Sequence, residues 1–146
     1  MKNFEEFSYV MIKPTYLEHK AEIKRRIEEI GGTIIAEQSI LINKEVLKEH
    51  YAHIANMPFY PELEEYMLSG ECYAMLVGGS NGIIAKIREI VGPTKNSPAG
   101  TIRGDFMHKN ASSSKNVIHA SDARDTANAE IARFFGQELY NEYHNK

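Results

Sequence analysis

The chain has one cysteine, Cys72, and no tryptophan. A single thiol excludes an intrachain disulfide framework, and its place in the apolar run Cys72-Tyr73-Ala74-Met75-Leu76-Val77 makes it a core residue. No hydrophobic run approaches the roughly 18 residues that a membrane helix needs. The start, Met1-Lys2-Asn3-Phe4-Glu5-Glu6, also lacks the basic and then apolar order of a secretion signal. The expectation is a cytoplasmic protein that does not enter a membrane. Positive charge is in short supply: 17 Lys and Arg against 20 Asp and Glu leave a net charge of -3. That argues against a nucleic-acid binder with a general basic face, so any anion site must be assembled locally. The usual phosphate cradles are missing too. Neither G-x-x-x-x-G-K-[ST] nor G-x-G-x-x-G occurs, and Ile102-Arg103-Gly104-Asp105 is not the H-R-D loop of a protein kinase.

What is there is an ordinary globular composition, 42% hydrophobic and 25% charged, over 146 residues, which fits one domain spanning 1–146. Residues 8–13 form an apolar run stopped by Pro14 and read as a buried strand ending at Lys13. Residues 21–30 put Ile23, Ile27 and Ile30 on one helical face, and Gly31-Gly32 closes the helix. Residues 33–42 are rich in β-branched side chains and read as a long strand. A helix over 44–54, a break at Pro58 and Pro61, and a short helix ending at Ser69-Gly70 follow. Residues 71–78 make a strand buried on both faces, and 81–91 an amphipathic helix ended by Gly92-Pro93. Periodicity then vanishes over 94–114, a length of irregular chain that in a compact domain usually has a function. Residues 116–119 supply the fourth strand and 122–135 the last clear helix, with Ser121 or Asp122 as its cap. The tail, 137–146, gives no clear pattern, although Leu139, Tyr140 and Tyr143 lie within it. Two β-α-β units in one four-stranded antiparallel sheet, with extra helices and an irregular loop, give a ferredoxin-like α+β fold.

Few residues in this frame have the placement that chemistry needs. His119 sits between a strand and a helix, where rigid elements hold an imidazole that still faces a cleft; a histidine packed at a strand end is the plainer alternative. Lys13 ends the first strand, Arg88 is the one arginine of its helix, Thr94 opens the irregular loop and Arg103 lies inside it. Each alone reads as a solvated cation or a turn hydroxyl. Converging on one sheet edge with His119, they would surround a polyphosphate. Val77-Gly78-Gly79-Ser80-Asn81-Gly82 fits a strand-to-helix turn better than an anion loop. His50 and His53 fall at i, i+3, but no neighbouring Asp, Glu or Cys completes a zinc site, so no protein-held metal is expected.

Tyr9-Val10-Met11-Ile12-Lys13-Pro14, His50-Tyr51, Pro58-Phe59, Gly100-Thr101-Ile102-Arg103-Gly104-Asp105-Phe106 and Asn116-Val117-Ile118-His119-Ala120-Ser121-Asp122 occur in one order along the chain. In that order and approximate spacing they resemble the nucleoside diphosphate kinase family, from about Phe7 to Phe135. The resemblance implies a ping-pong enzyme. His119 takes the γ-phosphoryl group of a nucleoside triphosphate (ATP, GTP or another) as phosphohistidine and passes it to a diphosphate such as ADP. It implies Lys13, Tyr51, Arg88, Thr94, Arg103 and Asn116 along the phosphates and sugar, Phe59 stacked on the base with Leu63 beside it, and Lys13 among the catalytic groups. Glu130 then holds the second imidazole nitrogen, Ser121 supports the nucleophile, and Mg²⁺ arrives on the nucleotide phosphates. A homo-oligomer, as hexamer, tetramer or dimer, is implied as well.

The chain also departs from that pattern. Thr15 replaces an aspartate, Tyr16-Leu17-Glu18-His19-Lys20 replaces a more glycine-containing turn, and Ala120 replaces a glycine beside the nucleophile. The loop between Thr94 and Gly100 is short, and the one over 107–115 is long and serine-rich. These changes bear on the oligomer and on the base pocket. They also motivate two other readings: a nucleotide-binding relative without efficient turnover, and a ferredoxin-like regulatory module with no nucleotide site.

Overall fold

The computed structural model describes residues 4–108, 111 and 115–144. Met1 to Asn3 of the N-terminal stretch and Ser112, Ser113 and Ser114 of the serine-rich stretch lie outside the described residues. Four strands, β1 (Glu6–Ile12), β2 (Thr33–Ile40), β3 (Cys72–Gly79) and β4 (Ile118–Ala120), form one antiparallel sheet in the order β2-β3-β1-β4. The crossovers between β1 and β2 and between β3 and β4 make this the expected split β-α-β arrangement. The two central strands are the two continuous apolar runs, and β3 is buried at every position. The edge strand β2 is only half-buried, with a register break between Ile34 and Ala36, and carries Glu37, which meets Lys24 at 2.5 Å. A bulge and a paired charge suit an exposed edge.

The helices are α1 (Lys20–Glu29), α2 (Lys44–His50), α3 (Tyr60–Leu68), α4 (Ile83–Val91), α5 (Ile102–Phe106), α6 (Arg124–Phe135) and α7 (Gln137–His144). Ile23 and Ile27 of α1, Ile83 and Ile87 of α4 and Ile131 of α6 join the sheet's Tyr9, Met11, Met75 and Leu76 in one core.

Several elements differ from the sequence expectation. The helix over 44–54 stops at His50 and continues only as a 3-10 turn at Ala52–Ile54. The irregular span contains α5, too short at five residues to show a helical period. Its Thr101 hydroxyl accepts from the Gly104 amide at 3.0 Å, and a side chain on Gly104 would put Cβ 1.9 Å from the Pro98 carbonyl oxygen. Strand β4 is Ile118–Ala120 rather than 116–119. Neither Ser121 nor Asp122 caps α6: the cap position is Ala123, without a side-chain hydrogen bond. Asp122 instead accepts from the Thr126 hydroxyl at 2.6 Å. The unassigned tail is α7.

Of the two departures near the family motifs, Ala120 sits in regular strand pairing with Val10, so its methyl costs the backbone nothing. Thr15 is held at φ 72°, a left-handed conformation that a β-branched residue rarely takes.

The glycine-containing turn after β3 is a strand-to-helix turn, and the chain fills it with its own anion. Gly82 has φ 94°, and the buried Glu6 carboxylate accepts from Ile84 N at 2.8 Å and Gly82 N at 3.2 Å while Arg124 approaches at 3.0 Å. Burial pushes the Glu6 carboxyl up, but the Ile84 and Gly82 amides and Arg124 outweigh it and hold it below the usual glutamate value. Glu6→Gln should therefore cost about 1–2 kcal/mol at neutral pH. The gap to wild type should be complete above pH ~4.3 and close as pH falls through the lowered value of Glu6. Urea unfolding of both proteins across pH 3–7 measures this.

Candidate active site

Pairing of β4 with β1 sets Met11 opposite His119, two residues before Lys13, and the Lys13 amide donates to the Val117 carbonyl at 2.9 Å. The histidine and the lysine therefore come to one end of neighbouring strands. His119 keeps 21% of its side chain exposed, while Glu130 on α6 is nearly fully buried. His119 Nε2 stands 2.7 Å from Glu130 Oε2, close enough for ion pairing though not aligned as a hydrogen bond. Ser121 sits between β1 and α6. Its hydroxyl reaches Glu130 Oε1 at 2.7 Å and accepts from the Tyr9 amide at 2.9 Å, so it fixes the carboxylate that faces His119. A helix-cap role hid this function, because only the fold brings Tyr9 next to Ser121.

Three cations surround this pair. Arg103 is buried, and its guanidinium donates to the Gly92 carbonyl at 2.8 Å and the Ile118 carbonyl at 2.9 Å. Its helix is pinned in turn, since Asp105 accepts from the Gly100 amide at 2.9 Å and pairs with Arg26 at 2.8 Å. Arg88 donates to the Ala120 carbonyl at 3.1 Å. Lys13 is 7% exposed, and its ammonium lies 6.0 Å from the Tyr51 ring centroid. Burial, with the charge of Arg103 added, pushes Lys13 down to about 8, and burial beside Arg88 brings Arg103 down to about 10.

Two hollows adjoin here. One of about 570 Å³ is lined by Lys13, Phe59, Leu63, Thr94 and Asn116 among others, and one of about 430 Å³ by Arg88, His119 and Glu130; both share Tyr51 and Arg103. Phe59 is 41% exposed at the start of α3, and Leu63 lies one turn further on, buried. Asn116 is buried, its side-chain oxygen accepting from Val117 N at 2.7 Å. Every residue singled out from the sequence thus lines the cleft or, like Ser121, touches one that does. Inside it the Tyr51 hydroxyl and Arg103 Nε are buried without a hydrogen-bond partner among the described residues. Such groups are costly unless a ligand meets them.

Two residues were not foreseen. His50 was set aside for want of a carboxylate, yet it lies with His119 and Glu130, all three offering ligand atoms within 4.8 Å. Two imidazoles and one carboxylate are a poor match for Mg²⁺, which prefers oxygen ligands. Arg133, one turn beyond Glu130, donates to His50 Nδ1 at 3.1 Å; nothing in its spacing marks it out.

Residues 6–139 match the family model described as nucleoside diphosphate kinase. The chain is 39% identical over 142 residues to the nucleoside diphosphate kinase of Halalkalibacterium halodurans, covering 94% of each chain. It is 37% identical over 134 residues to human nucleoside diphosphate kinase 3, covering 89% of this chain and 77% of that one. Among solved structures, the apo nucleoside diphosphate kinase of Encephalitozoon cuniculi superposes with a TM-score of 0.84 at 35% identity, over 92% of this chain and 91% of that one. The family match spans most of the chain and these relatives share over a third of its residues across nearly its whole length, so the chain belongs to the nucleoside diphosphate kinase family of phosphotransferases.

Proposed function

We propose that the whole chain, 1–146, works as one nucleoside diphosphate kinase domain, with His119 as the carrier of the phosphoryl group. The observation that carries this reading is the contact of His119 Nε2 with the buried Glu130 at the edge of a cleft lined by Lys13, Arg88 and Arg103. With Nε2 turned to the carboxylate, Nδ1 is left with the lone pair. It forms a bond to the γ-phosphorus of a nucleoside triphosphate as the bond to the β,γ-bridging oxygen breaks, and the diphosphate leaves. Positive charge that develops on the ring is met by Glu130, which Ser121 holds in place. A second diphosphate then takes the group by the reverse path, regenerating the free imidazole.

Lys13, Arg88 and Arg103 offset the charge of the phosphates, with the Tyr51 hydroxyl, Thr94 and Asn116 as donors along the phosphates and sugar. Phe59, at the cleft mouth with Leu63 behind it, stacks on the base without reading its edge, so ATP, GTP and other nucleotides are all accepted. Mg²⁺ enters on the phosphates, where it neutralises charge, rather than in a protein cage. We also place the protein in the cytoplasm as a homo-oligomer, whether dimer, tetramer or hexamer. No described helix is long and apolar enough to cross a membrane.

Incubation with γ-labelled ATP and Mg²⁺ should give acid-labile, base-stable label on His119, and transfer of it to several nucleoside diphosphates. Nucleotide binding without label would favour a relative that has lost turnover. Phe59→Ala should weaken ADP binding by about 1–3 kcal/mol, with similar losses for GDP and CDP in calorimetry. A loss confined to one base would contradict the stacking role.

The buried Lys13 adds a pH signature. A polyphosphate beside it favours the ammonium, so its pKa rises on binding. ADP affinity should therefore hold up to about pH 8, the value of the free site, and fall by about tenfold per unit above it. Lys13→Gln should bind more weakly and lose this slope.

A further inference from the structure

Behind Glu130 stands an imidazole to which the reaction above assigns no task. His50 closes α2 with 1% of its side chain exposed, boxed in by the rings of Tyr9, Tyr51, Phe134 and His119. Its ring centroid is 4.7 Å from that of His119, in an edge-to-face arrangement. Its Nδ1 lies 3.7 Å from Glu130 Oε2, the same oxygen that faces His119 at 2.7 Å. Two imidazoles therefore have access to one carboxylate oxygen.

Arg133 decides between them. Its Nη1 lies 3.1 Å from His50 Nδ1, and a guanidinium has only donors. Nδ1 must accept, so His50 is neutral with its proton on Nε2. That nitrogen is buried and has no hydrogen-bond partner among the described residues. Left to itself, a buried imidazole in this position would gain by moving the proton to Nδ1 and closing the 3.7 Å gap so that Glu130 accepts it. Arg133 forbids that tautomer.

We propose that Arg133 is a positioning residue for phosphoryl transfer: by donating to His50 Nδ1 it locks His50 in the Nε2-protonated form and reserves Glu130 Oε2 for His119. The proposal rests on the reading of His119 as carrier. Without the lock, His50 draws the carboxylate off His119. If it took a second proton, it would also set a cation against the ring that turns positive on phosphorylation.

The cations and imidazoles around His50 act in the same direction, against the carboxylate of Glu130. It is faced by His119 from β4, Lys13 and Tyr9 from β1, Tyr51 and His53 from the chain after α2, and Glu130 and Arg133 from α6. Burial first, then the charges of His119, Arg133 and Lys13, bring His50 down to about 2. Glu49 stands 3.4 Å from Arg133 Nε and balances the guanidinium.

Two measurements on the full-length protein test the lock. Long-range proton–nitrogen spectra of the ¹⁵N-labelled wild type read the tautomer directly and need no variant. The expected result is an unprotonated Nδ1 and a protonated Nε2 on His50 throughout pH 5–8; a protonated Nδ1 overturns the proposal. In Arg133→Met the His50 nitrogens should move towards the other tautomer or the charged form. The rate of His119 phosphorylation should fall about tenfold, the scale at which partners one step from a reacting group act. The acid limb of kcat/KM should shift to higher pH, and Arg133→Lys should recover most of the rate. Wild-type rate and pH profile in Arg133→Met, or a slow variant with unchanged His50 shifts, overturn the proposal. Absence of label on wild-type His119 would instead remove the carrier reading, and the spectra separate the two failures.

Discussion

One hydroxyl ties the sheet edge to the helix behind it. Ser121 Oγ accepts from the Tyr9 amide and reaches Glu130 Oε1, while the Ser121 amide donates to the Tyr9 carbonyl at 3.0 Å. Strand β4 has only three residues, and few ladder bonds hold it to β1. The buried Ser121 linkage extends that pairing by a residue and connects it to α6. The position of Glu130 relative to His119 depends on it. Losing the hydroxyl would strand a buried carboxylate, a larger penalty than the bond itself is worth.

Around this joint the protein spends rigidity on cations rather than on a backbone cradle. Arg103 reaches the cleft from a five-residue helix, yet two carbonyls orient its guanidinium and the Arg26–Asp105 pair braces the turn that carries it. Lys13 follows directly from a central strand whose residues 8–12 are all buried. These side chains are set before any ligand arrives, which is what transfer of a charged group through a loose transition state requires. The ends of the cleft differ accordingly: polar groups without partners among the described residues are buried near His119, while Phe59 at the mouth is partly open to water.

Sequence pattern was enough to find what depends on local period and on motif. The apolar runs at β1 and β3 and the stripes of α1 and α4 were legible, and with them the four-stranded antiparallel sheet with its crossing helices. His119, Lys13, Arg103 and Asn116 stand out through the motifs they belong to, Arg88 as the one arginine of its helix, and Glu130 through the family resemblance alone. What escaped was set by contacts between distant residues. Helix α5 is too short to show a period, and Ser121 resembles a cap until Tyr9, 112 positions away, is brought to it. His50 meets the carboxylate of Glu130 on α6, while Glu49 of its own helix turns to Arg133. Arg133 looks like any helix arginine until α2 is packed against it.

The turn after β3 bears on where phosphate can settle. Helix α4 begins with free amides at a glycine in left-handed conformation, the kind of N-terminus that attracts anions in many folds. Here Glu6 reaches those amides from within, so the helix is self-ligated at that end. Its other end carries Arg88 to the carbonyl of Ala120, next to His119. The helix thus works as a polarised strut: an internal anion satisfies its positive pole, and its negative pole steadies a cation beside the cleft. On the proposed binding mode, a nucleotide held by side-chain cations, rather than by backbone amides, sits in a field that protons can tune.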